Sequence, residues 1–321
     1  MRKMPKAQRE CCVLAVDVGG TNIRAGLFNP RSAELHCIQT VATETSQGGS
    51  HALGRVAALA RGVVAAGAAA ALHPDGVGIG VPELVSLSGR IDSACSLPWS
   101  AGAVRAKLRK YGVVTIASDV RAAALAEARL GAGRDEPVFL YVTVGTGISC
   151  TLVIGGKPFA GAHGHAISFA SGPTFAIGGD QGTPNPEPLE ARASGPGILR
   201  RARGLGLAAA DTPAVLRAAV AAPGLARTVV EAAATELAMH VAIIANAVDP
   251  TAIAVGGGLG CAQGPYWSTF RTAFSRFAWG PHAGRIRVRR AALGTRAGMI
   301  GAALSSLEAG KEGRRRRRGK G

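Results

Sequence analysis

Apolar positions along the chain fall into short blocks that end at glycine turns. The first block, Val13-Leu14-Ala15-Val16-Asp17-Val18, is broken by one acid and reaches Gly19-Gly20-Thr21, after which Asn22 to Phe28 is apolar again. Runs of this length bounded by turn residues predict two strands of a hairpin. Arg31 to Ala42 alternates more loosely and predicts a third strand. Leu53 to Leu72 is Ala-rich with charges at Arg55 and Arg61, which predicts a helix, and Val77 to Pro82 predicts another strand, with Glu83 directly after it. Val113 to Asp119 reads as a strand ending on an acid, and Val120 to Leu130 as the helix that follows. Val138 to Val144, the turn Gly145-Thr146-Gly147 and Ile148 to Ile154 then repeat the opening pattern, with Gly155-Gly156-Lys157 as the next turn. Thr251 to Val255 is a strand closed by Gly256-Gly257-Gly258, and Arg296 to Leu307 predicts a terminal helix.

The turns are where chemistry enters. Gly19 and Gly20 let the backbone come close to an anion and offer it N–H donors, while Thr21 adds a hydroxyl. Asp17 repels phosphate but can hold a hydrated Mg²⁺ that binds it. An ordinary hairpin closed by Gly-Gly reads the same way on this stretch alone. Three glycine turns, each following a strand, favour a split phosphate clamp. Asp119, between strand and helix, fits either a helix cap or a general base, and Glu83 either a solvated loop residue or a ligand contact.

Composition changes this picture little. The 321 residues are enough for two cores, and a hydrophobic fraction of 47% suits a soluble globular protein. The net charge of +17 is concentrated at the ends, in Arg2, Lys3, Lys6 and Arg9 and in the run Arg314 to Lys320. It reads as solvated tails rather than a nucleic-acid surface. Cys11, Cys12, Cys37, Cys95, Cys150 and Cys261 lack metal-ligand or disulfide spacing and read as reduced, mostly buried thiols of a cytoplasmic protein. No signal peptide is read in the short opening run, and Gly62 to Leu72, taken as the longest apolar stretch, is too short to span a membrane.

The set Asp17-x-Gly19-Gly20-Thr21, Ser118-Asp119, Gly145-Thr146-Gly147, Gly161-Ala162-His163-Gly164 and Gly256-Gly257-Gly258 resembles the ROK family of sugar kinases and repressors. The resemblance implies a two-domain α/β fold of the actin-like ATPase (ribonuclease H-like) type around a deep interdomain cleft. Its smaller domain would hold 13–118 plus 295–308 and its larger one 119–294, with 1–12 and 309–321 as disordered basic ends. About ten residues precede the first hairpin, too few for the helix-turn-helix of the family's repressors, which favours a kinase over a catalytically weak sugar-binding regulator.

Carried over by position, the resemblance implies ATP and Mg²⁺ as cofactors. Asp17 would organise the metal, and Gly19, Gly20, Thr21, Arg24, Gly145, Thr146 and Gly147 would face the phosphates. Gly256, Gly257 and Gly258 would lie beside the adenosine, and Asp119 would be the base for a sugar 6-hydroxyl. Ser118, Asp119, His163, His165 and Ser168 fall on the sugar side. There the chain departs from the family. Ser118 replaces an Asn, Ile167-Ser168-Phe169-Ala170-Ser171 replaces the usual Gly-Glu-x-Gly-His, and Gly178 to Glu190 lacks the zinc-binding cysteines, so no zinc is expected. Glu83 stands where the family usually has Gly. A carboxylate there is suited to an ammonium group, which points to an amino-hexose such as kanosamine, or else to glucose. A homodimer, without nucleic-acid or membrane partners, is the expected assembly.

Overall fold

The computed structural model describes residues 10–174, 187–280 and 283–318. The chain divides into two compact units. Unit 1 is built from residues up to Ala126, from Ala160–His165 and from Arg296 onward, and unit 2 from Glu127–Phe159 and Ala166–Thr295.

Unit 1 begins with β1 (Glu10–Val18), β2 (Asn22–Asn29) and β3 (Glu34–Ala42), an antiparallel meander. Helix α1 (Gly49–Ala68) leads to β4 (Leu72–Val81), and α2 (Ala101–Leu108) to β5 (Val113–Ser118). Both β4 and β5 run parallel to β1, so the sheet order is β3-β2-β1-β4-β5. Because β1 and β4 are inner strands, their side chains are buried on both faces and read as continuous apolar runs. Helix α3 (Asp119–Leu130) follows β5 without a gap.

Unit 2 repeats the plan. Strands β6 (Val138–Val144), β7 (Ile148–Ile154) and the short β8 (Lys157–Pro158) form an antiparallel meander. Four helices follow: α4 (Leu189–Ala193), α5 (Gly195–Gly204), α6 (Thr212–Ala221) and α7 (Leu225–Val248). The chain then returns to the sheet as β9 (Ala252–Gly256), parallel to β6. Helices α8 (Gly257–Gly260) and α9 (Pro265–Phe277) precede β10 (Arg287–Arg290), and the sheet order is β10-β9-β6-β7-β8. The last helix, α10 (Ala297–Arg318), belongs to unit 1, where it packs on β4, β1 and β5.

Several expectations are corrected. Glu10 to Cys12 are the first residues of β1, not part of a disordered end, because they pair with Leu72 to Pro74 of β4. Residues 1–9, with Arg2, Lys3, Lys6 and Arg9, lie outside the described residues, as does most of Gly178 to Glu190. The terminal helix does not stop near Leu307 but continues to Arg318. The unit boundary falls at Ala126 rather than Ser118, so Asp119 belongs to the first unit. The thiols are also less buried than expected: Cys12 and Cys150 are buried, Cys37 and Cys261 intermediate, and Cys11 and Cys95 exposed.

Helix α7 carries Arg227, Glu231, Glu236 and His240 among its apolar residues. It is long and apolar enough to cross a membrane by length and composition alone, yet Val229, Val230, Leu237 and Val241 on it are buried in the core of unit 2.

The placement of α10 explains why the boundary moved. A Cβ on Gly301 would overlap the main chain of Ala122 in α3, and one on Gly78 of β4 would overlap the main chain of Ala302. Glycines thus let α10 lie directly on β4 and on the first turns of α3, which ties those turns to unit 1. Gly301→Ala is a test with opposed terms. Helix propensity alone would gain about 1 kcal/mol. Overlap with a rigid backbone is expected to cost about 1–3 kcal/mol or more and to decide the sign. Urea unfolding is expected to show a lower midpoint at unchanged slope.

Candidate active site

In unit 1 the ends of β1, β4 and β5 meet at one edge of the sheet. Asp17 is paired across the parallel ladder with Gly80, and Val81 with Ser118. A Cβ on Gly80 would lie 3.7 Å from Asp17 Oδ1 and 3.5 Å from the Cα of Asp119. A residue without a side chain therefore stands between the Asp17 carboxylate and the main chain of Asp119. Carboxyl ends of parallel strands are the ligand-binding edge of open α/β sheets.

Asp17 lies in surroundings poor in water, which push its pKa up to about 6, while Arg24 opposes the rise. Arg24 stands opposite Asp17 in the β1–β2 register. Gly298, near the start of α10, lies so close to Asp17 that any side chain there would overlap its carboxyl group.

Asp119 is pushed up to about 7, first by loss of water and then by the charge of Asp17. Hydrogen bonds from Val120 and Ser118 act against the rise, and Glu83 adds to it. Its Oδ1 accepts from the N–H of Val120 at 2.7 Å and from the Ser118 hydroxyl at 3.5 Å. An N-cap would accept from the second or third residue further on, so the carboxylate is not in a capping arrangement. Of the two readings left open by the sequence, this geometry favours the base. Ser118 itself is fully buried and turned to Asp119, so it can reach an acceptor only through that carboxylate.

The turn between β1 and β2 is tied from behind. Gly19 N–H donates to Asn22 O at 2.9 Å, the Thr43 hydroxyl donates to Gly19 O at 2.7 Å, and Thr43 N–H donates to Thr21 O at 2.8 Å. Thr43, buried and just beyond β3, was not singled out from the sequence, where nothing local marks it.

Glu83 is the main correction on the acceptor side. It is 3% exposed, and its carboxylate accepts from Ser93 Oγ, from Cys95 N at 3.0 Å, and from Ser96 N and Leu97 N at 2.6 Å each. Four donors fill the roughly four lone-pair positions of a carboxylate. Glu83 holds the loop that follows β4 rather than presenting a charge to an amine. Trp99, in the same region, donates from Nε1 to Gly49 O at 2.6 Å and is buried, so it packs on the start of α1.

His165 Nε2 lies 3.2 Å from Asp92 Oδ2, and Arg90 Nε donates to Asp92 Oδ1 at 2.5 Å. His163 is exposed, with its ring centroid 6.4 Å from that of His165. Arg121, which no local sequence signal marks, donates to Gly164 O at 2.8 Å and to Val85 O at 2.6 Å.

In unit 2 the other glycine turns gather around Gly145. Its N–H donates to Gly147 O at 2.9 Å, its carbonyl accepts from Gly195 N at 2.8 Å, and a Cβ on it would lie 3.6 Å from Gly258 N. Gly257 has φ +79°, and a side chain there would overlap the main chain of Val144. Glu190 Oε2 accepts from Ile148 N at 2.7 Å and so braces Gly145-Thr146-Gly147. Ser168 is exposed in unit 2, where its carbonyl accepts from Ser171 N at 3.2 Å.

A family model described as the ROK family matches residues 13–308. The chain belongs to the ROK family. The ROK chain is 32% identical over 307 residues to the bifunctional enzyme NanE/NanK of Brucella melitensis, an alignment covering 91% of this chain and 53% of that protein. It thus spans about half the length of that relative. It is 28% identical to a glucokinase of Halalkalibacterium halodurans, over 93% of this chain and 98% of the relative. Among solved structures it is similar to a ROK hexokinase from Thermus thermophilus, with a TM-score of 0.72, 30% identity, and 94% and 99% of the two chains covered. Each unit of this ROK member is a meander continued by parallel strands, the two-domain actin-like ATPase fold.

Proposed function

We propose that the protein is an ATP-dependent sugar kinase that phosphorylates the 6-hydroxyl of a hexose. The observation that carries this reading is the pair Asp17 and Asp119 on either side of Gly80, at the strand ends beside the Gly19-Gly20-Thr21 turn. Relatives named glucokinase and hexokinase support the reaction class.

In this reading the Gly19-Gly20-Thr21 turn is the phosphate cradle of unit 1, Gly145, Thr146 and Gly147 are that of unit 2, and Gly256 to Gly258, beside Gly145, serve the nucleoside. Asp119 accepts the proton of the acceptor hydroxyl as that oxygen forms its bond to the γ-phosphorus, and the bond from that phosphorus to the bridging oxygen of ADP breaks. Phosphoryl transfer asks the protein mainly for positioning and charge, so one placed carboxylate and two backbone cradles suffice.

The residues fit a magnesium ion. Mg²⁺ is bound by one or two carboxylates with substrate phosphates and water, and Asp17 is a hard oxygen donor whose charge repels that of Asp119, a repulsion a divalent cation relieves. When bound, the ion neutralises charge on the phosphates. Among the described residues no group of three or more His, Cys, Asp or Glu is placed to hold a metal.

Glu83 is already saturated by its own loop, which leaves its carboxylate no free position for an amine. Glucose is therefore the preferred acceptor in this proposal and kanosamine the comparison. The test is ADP release with a panel of hexoses, N-acetylhexosamines and amino-hexoses, with Asp119→Asn as control. Turnover of at least one sugar that the Asn variant lacks is expected. Binding without turnover by any sugar would replace the kinase with a sugar-binding regulator.

A further inference from the structure

Arg121 sits two residues after Asp119 in the first turn of α3, shielded enough from water that its pKa is lowered. A guanidinium in such a place usually meets a carboxylate. Here its two terminal nitrogens donate instead to main-chain carbonyls on two separate loops, Nη1 to Gly164 and Nη2 to Val85.

Those loops lie far apart in sequence and also touch each other directly, through His165 and Asp92 and through Gly164 and Val85. Val85 belongs to a small arm closed by its bridge to Ile91, by Ser86 N donating to Arg90 O at 2.9 Å, and by Asp92 N donating to Leu84 O at 2.8 Å. Gly164 belongs to Ala160–His165, a segment that packs in unit 1 although the chain on both sides of it belongs to unit 2. Three ties hold that segment: the Arg121 bond, the His165–Asp92 contact, and the close seat of Gly164. At φ +89° any side chain on Gly164 would overlap Val85 O. Arg121 is the element that joins both loops to the helix turn carrying Asp119.

We infer that Arg121 is a positioning residue for the acceptor: its planar fork sets the arm at Val85 and the segment at Gly164 at a fixed distance from Asp119, so that the sugar is met by loops already in place. The inference rests on the kinase reading above. A lysine cannot replace it, because a single ammonium does not span two carbonyls in the way a planar guanidinium does. Loops ordered before binding spare the cost of ordering them during it, so the loss should appear on the acceptor and not on the nucleotide.

The test compares Arg121→Ala, Arg121→Lys and the parent chain under saturating ATP. In both variants KM for the hexose is expected to rise about tenfold or more, with kcat falling less and KM for ATP within about twofold of the parent. Millimolar guanidinium is expected to restore part of the lost kcat/KM in Arg121→Ala, and ammonium is not. Hydrogen exchange at 84–92 and 160–165 is expected to be faster in both variants, with little change in β1, β4 and β5. An unchanged hexose KM would overturn the inference. So would equal losses on hexose and ATP with a lowered Tm and no guanidinium rescue, which is the pattern of a purely structural arginine. If the alanine variant does not fold, the lysine variant carries the same readings. A parent chain that phosphorylates no sugar would remove the kinase reading alone. Unchanged exchange at both loops would then still count against Arg121.

Discussion

Asp119→Asn is expected to lower kcat/KM for the hexose by about 10²–10⁴ while leaving nucleotide binding nearly intact, because the amide keeps the shape and loses the basic oxygen. The pH dependence has a defined sign. The base works only when ionised; burial and then the charge of Asp17 push Asp119 up to about 7, and burial pushes Asp17 up to about 6. Activity of the parent chain should therefore rise with pH along a limb near neutrality. The midpoint belongs to the coupled pair, since each carboxylate titrates in the field of the other. The Asn variant should lack this limb in its residual activity.

The same variant is expected to be more stable than the parent at pH 7. A carboxyl whose pKa is higher in the folded chain than in the unfolded one binds its proton more tightly when folded, so stability falls as pH rises from about 4 to about 7. The charge needed for proton removal is thus held at a cost to folding. Removing it should raise Tm at neutral pH and leave it nearly unchanged near pH 3. Thermal melts at the two pH values check this. A variant that keeps full activity, or loses it with a lowered Tm, would show that Asp119 is a structural residue.

Glu83→Gln is the second large effect. Ser93 Oγ and the N–H groups of Cys95, Ser96 and Leu97 converge on one buried carboxylate. An amide there offers one oxygen and turns its own N–H groups toward donors. Each buried donor left without an acceptor costs about 1–3 kcal/mol, so a loss of roughly 3 kcal/mol or more is expected. Because the loop and not an amine depends on Glu83, kcat/KM should fall by the same factor for glucose and for kanosamine. A fall confined to the amino sugar, at unchanged stability, would return Glu83 to the role of an amine ligand.

Much of the fold was legible because its signals are local. Asp17, the Gly19-Gly20-Thr21 turn and the second turn at Gly145 stand between apolar runs of strand length, and the structure has β1–β2 and β6–β7 there, each antiparallel. The repeated strand, turn, strand pattern corresponds to two sheets of the same strand plan. The family resemblance drew on these same residues. What misled was also local: a carboxylate just past a strand end was read as facing a ligand, when its partners lie 10 to 14 residues further along the chain.

The residues that sequence reading missed share one property. Thr43 reaches back to Gly19, Glu190 to Ile148, and Arg121 to Val85 and Gly164, separations of 24, 42, 36 and 43 residues. No periodicity or motif spacing reports contacts of that range, because each depends on which elements the finished sheet brings side by side.

By itself, the order of apolar blocks and glycine turns determined the two meanders, the placing of Asp17 and Asp119 near strand ends, and the family. Short-range backbone preferences and burial on alternate or both strand faces are sufficient for that. Tertiary structure alone decided that Asp119 belongs to the first unit, that Glu83 serves its own loop, and that Arg121 fastens two distant segments beside the proposed base. Those outcomes follow from α10 lying on glycines of β4 and from side chains meeting main-chain donors and acceptors that become neighbours only once the chain has closed on itself.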